Sequence, residues 1–414
     1  MRTTLIGISA LLLGAGAINL GMGLQGSLIG LRAGIENFST ILTGVVMSSY
    51  YAGFVIGSLV APRIVNRVGH IRTFSVFASL SSAATICHAA LIDPISWIIL
   101  RALTGLCFAS LCLVLESWLN DRSSNLNRGA LLSVYFVTIL AATALGQILL
   151  IAAPASGYDL FVLVSVIVSL ALVPVALTST PMPHEIAPNR MALKRLFATS
   201  PVGIVGCFGA GLSTGAFWGL GAVYAQGIGL PITQIALFMT FMIAGGMAAQ
   251  WPLGRLSDKI DRRLIIAAMS LGMAIVGTVI ATGAVHDAPW LFVLGACAGA
   301  LLLPLYSISI AHANDFMEAR DFVPASASLL LIYGCGAAAG PIVATLFMSR
   351  FGPEGLFIHA AVTTSVVGLF AVYRMTQRPP VPEEDSSKFA VLPRTTAMAF
   401  ELDPRSDENA AGLK

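Results

Sequence analysis

Charge is what this sequence has least of: only 10% of its 414 residues are charged, against 57% apolar, and the mean hydropathy is +0.86. Soluble domains carry roughly 25% charged residues, so a water-soluble enzyme or a nucleic-acid-binding domain is excluded at the outset. Cysteine is also sparse. The six, Cys87, Cys107, Cys112, Cys207, Cys297 and Cys335, all fall inside apolar runs without the paired spacings of a disulfide framework or zinc site. They read as small core residues. There are no paired intramembrane carboxylates, no His-x-x-Glu-His cluster and no phosphate-binding glycine loop, so neither an enzyme nor a metal or other cofactor is expected.

What the chain has instead is long apolar runs. A bilayer core of roughly 30 Å needs about 20 apolar residues per helical crossing, and about twelve such runs fit between Leu5 and Tyr373. The first six are Leu5–Leu31, Ser39–Pro62, Thr73–Ile92, Ile95–Leu119, Gly129–Ala153 and Asp159–Thr178; the second six are Pro201–Gln226, Gln234–Leu253, Leu264–Val285, Ala288–His312, Val323–Met348 and Gly355–Tyr373. Arg2 and the following run resemble a signal peptide, but the run is too long for a signal core and reads as the first span. Between the sets lies a proline-rich basic stretch at 180–199, and after Arg378 the composition turns to Pro, Glu, Asp and Ser. The expected division is an N-terminal six-helix bundle (1–179), a cytoplasmic linker (180–199), a C-terminal six-helix bundle (200–374) and a disordered cytoplasmic tail (375–414).

Alternate loops separate the basic residues sharply. Of the 23, Arg32 and Arg350 fall on one side, Arg101 lies within a span, and all others fall on the opposite side with the tail. Positive loops stay in the cytoplasm, so both termini are expected there. The two sets also match in order: Ala52-Gly53 with Ala244-Gly245, Gly105 with Gly299, Asn120-Asp121 with Asn314-Asp315, and Gly146 with Gly340. The chain reads as a tandem repeat of six spans, an arrangement common in secondary transporters with a site near the midplane.

The densest charge is the hinge Gly254-x-Leu256-x-Asp258-Lys259-x-x-Arg262-Arg263, with a weaker copy at Pro62 to Arg72 that includes Asn66, Arg67, Gly69 and His70. This hinge resembles the loop signature of the major facilitator superfamily. Glu116-Ser-Trp118-Leu-Asn120, Ala311-His312-Ala-Asn314-Asp315 and Tyr333-Gly334-x-Gly336-x-x-x-Gly340-Pro341 further resemble its YcaD-like bacterial subgroup. The resemblance covers the twelve spans and not the tail. It implies an all-α membrane protein of two pseudo-symmetric six-helix bundles. It also implies a cytoplasmic gate in which Asp258 meets a helix N-terminus of the opposite half near Arg128. Asp258, Lys259, Arg262, Arg263, Asn66, Arg67, Gly69 and Glu116 are the gate candidates. Read without the family, the same hinge is a topology signal and solvated turn.

Arg101 is costly inside a span, on the order of 2.5 to 3.5 kcal/mol even on insertion scales. Arg101-x-x-x-Gly105 resembles the superfamily's fourth-span motif, whose arginine is tied to proton coupling in some members, although the preceding glutamine is missing. The alternative is snorkelling to the surface. Glu116, the only acid in the interior of a span, can form a gate ion pair with Arg122, Arg128 or the Arg67 to Arg72 cluster, or carry a proton. His312 is a third coupling candidate and His88 a weaker one; for either, a packing role is the alternative.

The resemblance places spans one, four, seven and ten around the cavity, which selects Asn19, Gln25, Ser110, Ser213, Thr214, Trp218 and Tyr306, with Tyr135 and Tyr333 from flanking helices. That set is almost free of charge, so a neutral, amphipathic or zwitterionic substrate is expected. The fifth span lacks the glycine-proline motif of the family's drug antiporters. The expectation is a monomeric transporter in the bacterial inner membrane, moving a small organic molecule by alternating access, with protons one candidate driving ion. A receptor or scaffold that kept the fold and lost transport is the rival reading.

Overall fold

A computed structural model describes residues 2–123, 127–177, 190–283, 288–382 and 387–403. Among the described residues the regular structure is helical, and twelve helices are long and apolar enough to cross a membrane. In order these spans are Ile8–Ile35, Thr40–Val68, His70–Ala90, Pro94–Asp121, Arg128–Ala152 and Asp159–Ala176, then Pro201–Gly227, Ile232–Ser257, Arg262–Ala281, Pro289–Asn314, Arg320–Phe351 and Gly355–Met375. Residues 178–189, which include the first half of the expected linker 180–199, and the tail residues 383–386 and 404–414 lie outside the described residues.

The starts of the helices follow local chemistry. Asp93 accepts from the N–H groups of Ile95 and Ser96 ahead of Pro94, so the fourth span opens with a side-chain cap and with a residue that has no N–H to satisfy. Ser200 and Pro201 open the seventh span in the same way. The second span runs past Pro62 to Val68, and the eighth past Pro252 to Ser257. The segment read as a first hinge is therefore helix on both sides of one residue, Gly69, whose φ of 87° is accessible chiefly to glycine.

Close helix approach is built from glycine in matched places. A Cβ on Gly53 would stand 1.8 Å from the Ala102 carbonyl oxygen, and one on Gly105 1.9 Å from that of Tyr50. In the second half, Gly245 would meet the Ala296 oxygen at 2.0 Å and Gly299 the Met242 oxygen at 1.8 Å. Spans two and four thus pack as eight and ten do, which is the tandem match expressed as backbone contact. Spans one and five pair through Gly146, and seven and eleven through Gly336 and Gly340. Spans three and six likewise correspond to nine and twelve. Outside this core, Leu13, Leu271 and Leu369 are exposed in positions suited to lipid.

The face carrying residues 62–72 and 255–263 is called the basic face below. The two halves meet towards the opposite face. There Gly30 lies against Gly219 and Val223, Gly44 against Pro341 and Thr345, and the Thr240 hydroxyl faces the Ala144 carbonyl at 3.4 Å. Towards the basic face, residues 190–191 cross between the halves, with the Met191 N–H donating to Pro324 and Arg190 reaching the Ser58 carbonyl. The tail does the same. Composition marks it as disordered, yet residues 387–403 fold back among the helices, with Leu392, Met398, Phe400 and Leu402 buried in a core shared with both halves. Those apolar side chains are the physical reason: alternating with threonines and acids, they supply enough burial to hold the segment.

Candidate functional site

A cavity of roughly 180 Å³ lies where the halves meet. Span two contributes Tyr50, Tyr51 and Phe54, span four Arg101 and Phe108, span five Phe136, Thr143 and Gln147, span seven Trp218, and span eleven Tyr333. Asn19 and Ser27 come from span one, and Pro393, Arg394 and Thr395 of the tail bound the cavity towards the basic face. The lining is aromatic with a few fixed polar groups. Ser27 donates to Gln147 Oε1 at 2.5 Å while the Gln147 amide donates to the Gly23 carbonyl, so the glutamine is held in one orientation.

Arg101 does not snorkel. It is buried in the wall, with its guanidinium 4.4 Å from the centre of the Tyr50 ring, a contact worth about 2 kcal/mol when desolvated. Its Nε has no hydrogen-bond partner, and among the described residues no carboxylate lies within ion-pair distance of it. Arg394 adds a second guanidinium, 5.8 Å from the Tyr333 ring. The cavity is thus cationic where the sequence suggested near neutrality.

The remaining cavity candidates divide. Asn19, Trp218 and Tyr333 line it. Thr214 stands behind, its hydroxyl 2.9 Å from that of Tyr333, and Tyr306 packs on Tyr333 with ring centres 4.8 Å apart and planes tilted by 56°, without being part of the lining. Gln25 donates to Thr85 between spans one and three, Ser110 donates to the Leu106 carbonyl, and Ser213 is buried in packing. Span ten contributes no lining residue, because Tyr333 of span eleven stands between Tyr306 and the space. Tyr50, Tyr51 and the lining residues of span five, Phe136, Thr143 and Gln147, were not among the cavity candidates read from the sequence.

Glu116 is fully buried near the basic face. Its partners among the described residues are hydroxyls and a backbone N–H, not arginines: Tyr135 donates at 2.7 Å, and the Thr395 and Thr396 hydroxyls and the Thr396 N–H donate from the tail. Tyr135 therefore serves Glu116 and is not part of the cavity wall.

The hinge forms a separate cluster. Arg262 is buried and donates to Asp315 at 2.8 Å, to Asp258 at 3.1 Å and to Ser257 at 3.1 Å. Burial pushes the Asp315 carboxyl above the ordinary carboxylate range despite Arg262. Arg263 grips Asp261 at 2.7 Å and reaches the carbonyls of Arg374 and Arg378. Asp261, not Asp258, caps the ninth span through the Arg263 N–H. Burial pushes the Asp261 carboxyl up, but the bonds from Arg263 outweigh it and hold it below its usual range. Asp258 contacts Arg262 of its own half and the Phe389 N–H of the tail, and does not meet a helix of the opposite half near Arg128. Lys259, Asn66 and Arg67 are exposed, and Gly69 makes the turn. His312 lies in this cluster, edge-on to Phe316 at 5.1 Å, and does not face the cavity. His88 packs against Trp97 and contacts the Ala84 carbonyl.

The sequence matches the family description "Major Facilitator Superfamily" over residues 6–267 and again over 203–404. An uncharacterized MFS-type transporter of Yersinia pestis (strain Pestoides F) is 30% identical over 355 residues, 85% of this chain and 91% of that protein. The uncharacterized MFS-type transporter YcaD of Salmonella typhi is 27% identical over 90% of this chain and 97% of its own length. Among solved structures, the nucleoside transporter NupG superposes with a TM-score of 0.75 at 9% identity, covering 91% of this chain and all of that one. A bacterial homolog of the human lysosomal transporter Spinster, in an inward-facing and occupied conformation, gives 0.71 at 14% identity, covering 92% and 97%.

Proposed function

Because the chain belongs to the Major Facilitator Superfamily, we propose that it is a secondary transporter that carries a small amphipathic organic anion through the central cavity by alternating access. The basic face is then cytoplasmic, both termini lie on that side, and the membrane is the bacterial inner membrane. The functional units are the two six-span bundles, expected at 1–179 and 200–374.

One observation carries the substrate class: Arg101, buried in a wall of aromatic side chains with no acid among the described residues paired to it. An unpaired cation in a low-dielectric wall costs several kcal/mol, and a bound carboxylate is the group that offsets that cost by fork-to-fork hydrogen bonding. Tyr50, Phe54, Phe108 and Trp218 offer flat apolar surface to the rest of the molecule. The cavity is small and its polar groups are few, so one negative charge suits it better than several. Protons are a candidate driving ion, with Arg101 and Glu116 as the buried ionisable groups through which coupling would act. His312 is set aside because it faces the hinge cluster.

The test is a binding screen on purified protein with aryl carboxylates, their amides and matched ammonium compounds, followed by flux of each hit in proteoliposomes with and without a pH gradient. Carboxylates bind, their amides bind at least tenfold more weakly, and Arg101→Gln removes the difference. Equal binding of acid and amide to the wild-type protein overturns the substrate class. Binding without flux supports the receptor reading instead.

A further inference from the structure

The route from the cavity to the basic face is occupied by the chain's own tail. Three sets of contacts hold it there, on different elements. At the hinge, the Ser387 N–H and hydroxyl donate to Asp315 at 3.0 and 2.8 Å, and the Phe389 N–H donates to Asp258 at 2.8 Å. The Phe389 ring lies where a Cβ on Gly254 would be, 2.1 Å from it, so the signature glycine of the hinge leaves room for this ring. In the middle, Thr395 and Thr396 donate to Glu116 of the fourth span. Beyond them, the 3-10 turn Ala397–Leu402 packs on spans four and five of one half and span eleven of the other, and Asn120 donates to Glu401 at 2.5 Å.

We propose that residues 387–403 are a built-in plug, which closes the central cavity towards the basic face and must leave before anything passes between the cavity and that side. Two features favour a plug over a permanent structural strap. The segment carries Arg394 and Thr395 into the cavity boundary itself, so it stands in the path and not beside it. It also ties together the two halves, which alternating access requires to separate and approach. Glu116 is the anchor. With no cation paired to it among the described residues, it depends on three hydroxyl donors, two of them from the tail, and on the Thr396 N–H. Once the tail leaves, that carboxylate faces the opened path, where water can replace the lost donors.

The plug is tested by thiol accessibility, which needs no knowledge of the substrate. Thr143, on the cavity wall, is replaced (Thr143→Cys) and labelled with a bulky, charged maleimide in nanodiscs, with the parent protein correcting for native cysteines. In the full chain the new thiol labels slowly. In a chain ended after Pro382 it labels at least tenfold faster, and in the full chain carrying Thr395→Val and Thr396→Val several-fold faster. The double variant keeps side-chain shape and removes only the hydroxyls, so it stands as the test if the shortened chain fails to fold. Unchanged labelling in the folded variants overturns the plug, and does so whether or not the cavity binds an anion.

Discussion

Asp261 shows how one side chain can carry a local fold. It caps the ninth span through the Arg263 N–H and is clasped by the Arg263 guanidinium, and its carboxyl is held below the usual range. A carboxyl depressed in the folded state contributes stability above its unfolded value, and that contribution is lost as the pH falls through the folded one. The wild-type protein should therefore lose thermal stability on acidification from pH 7 to below the ordinary carboxylate range. Asp261→Ala, less stable at pH 7 by about 0.5–2 kcal/mol, the range for a lost helix cap, should show a shallower dependence. Parallel melting curves against pH for the two proteins would contradict this. Residue chemistry also explains what was legible at the site. Arg101 stood out because a lone cation in an apolar run demands a partner or a role. Tyr50 and Tyr51 did not, since an aromatic pair in a span is as consistent with packing as with a cavity wall.

Among the elements, the twelve spans were readable because hydropathy and length decide a membrane crossing, and the matched glycines marked the two sets of six as copies; which spans pack together was not readable. Their ends were less readable. The second and eighth spans were expected to end at Pro62 and Leu253, but a proline near the end of a long helix forfeits one hydrogen bond without ending the helix, and both run on to Val68 and Ser257. The packing of residues 387–403 was not legible for a different reason. Its acids, serines and prolines dominate the average, while Phe389, Leu392, Met398, Phe400 and Leu402 are few but all packed into the core or against it. The glycine pairs yield a prediction at this scale. A side chain at Gly105 or Gly299 collides with backbone, which cannot rotate away. Gly105→Val and Gly299→Val should each cost about 1–3 kcal/mol, the range for overpacking, with similar losses because the two sites are equivalent. The check is the melting temperature in one detergent. A large loss at one and none at the other would argue against equivalent packing of the two halves.

At the scale of the molecule, the halves touch towards one face and are bridged by linker and tail towards the other, with a small cationic, aromatic-lined cavity between them. On the proposed alternating-access cycle this arrangement exchanges with its mirror, in which the helices of the two halves meet at the basic face and part at the opposite one. The contacts at Gly30, Gly44 and Thr240 would then part, and the hinge at Asp258 and Arg262 would come nearer the first half. The measurement that bears most directly on this is a pair of distances in nanodiscs. Spin labels at Asn37 and Gly229 report the opposite face, and labels at Arg72 and Lys259 the basic face, each with and without 2-naphthoate as the probe anion. The account predicts two populations on each face, the longer distance on one rising in step with the shorter on the other when the probe is added. A single unchanged distance on both faces, with the probe shown to be bound, would contradict it.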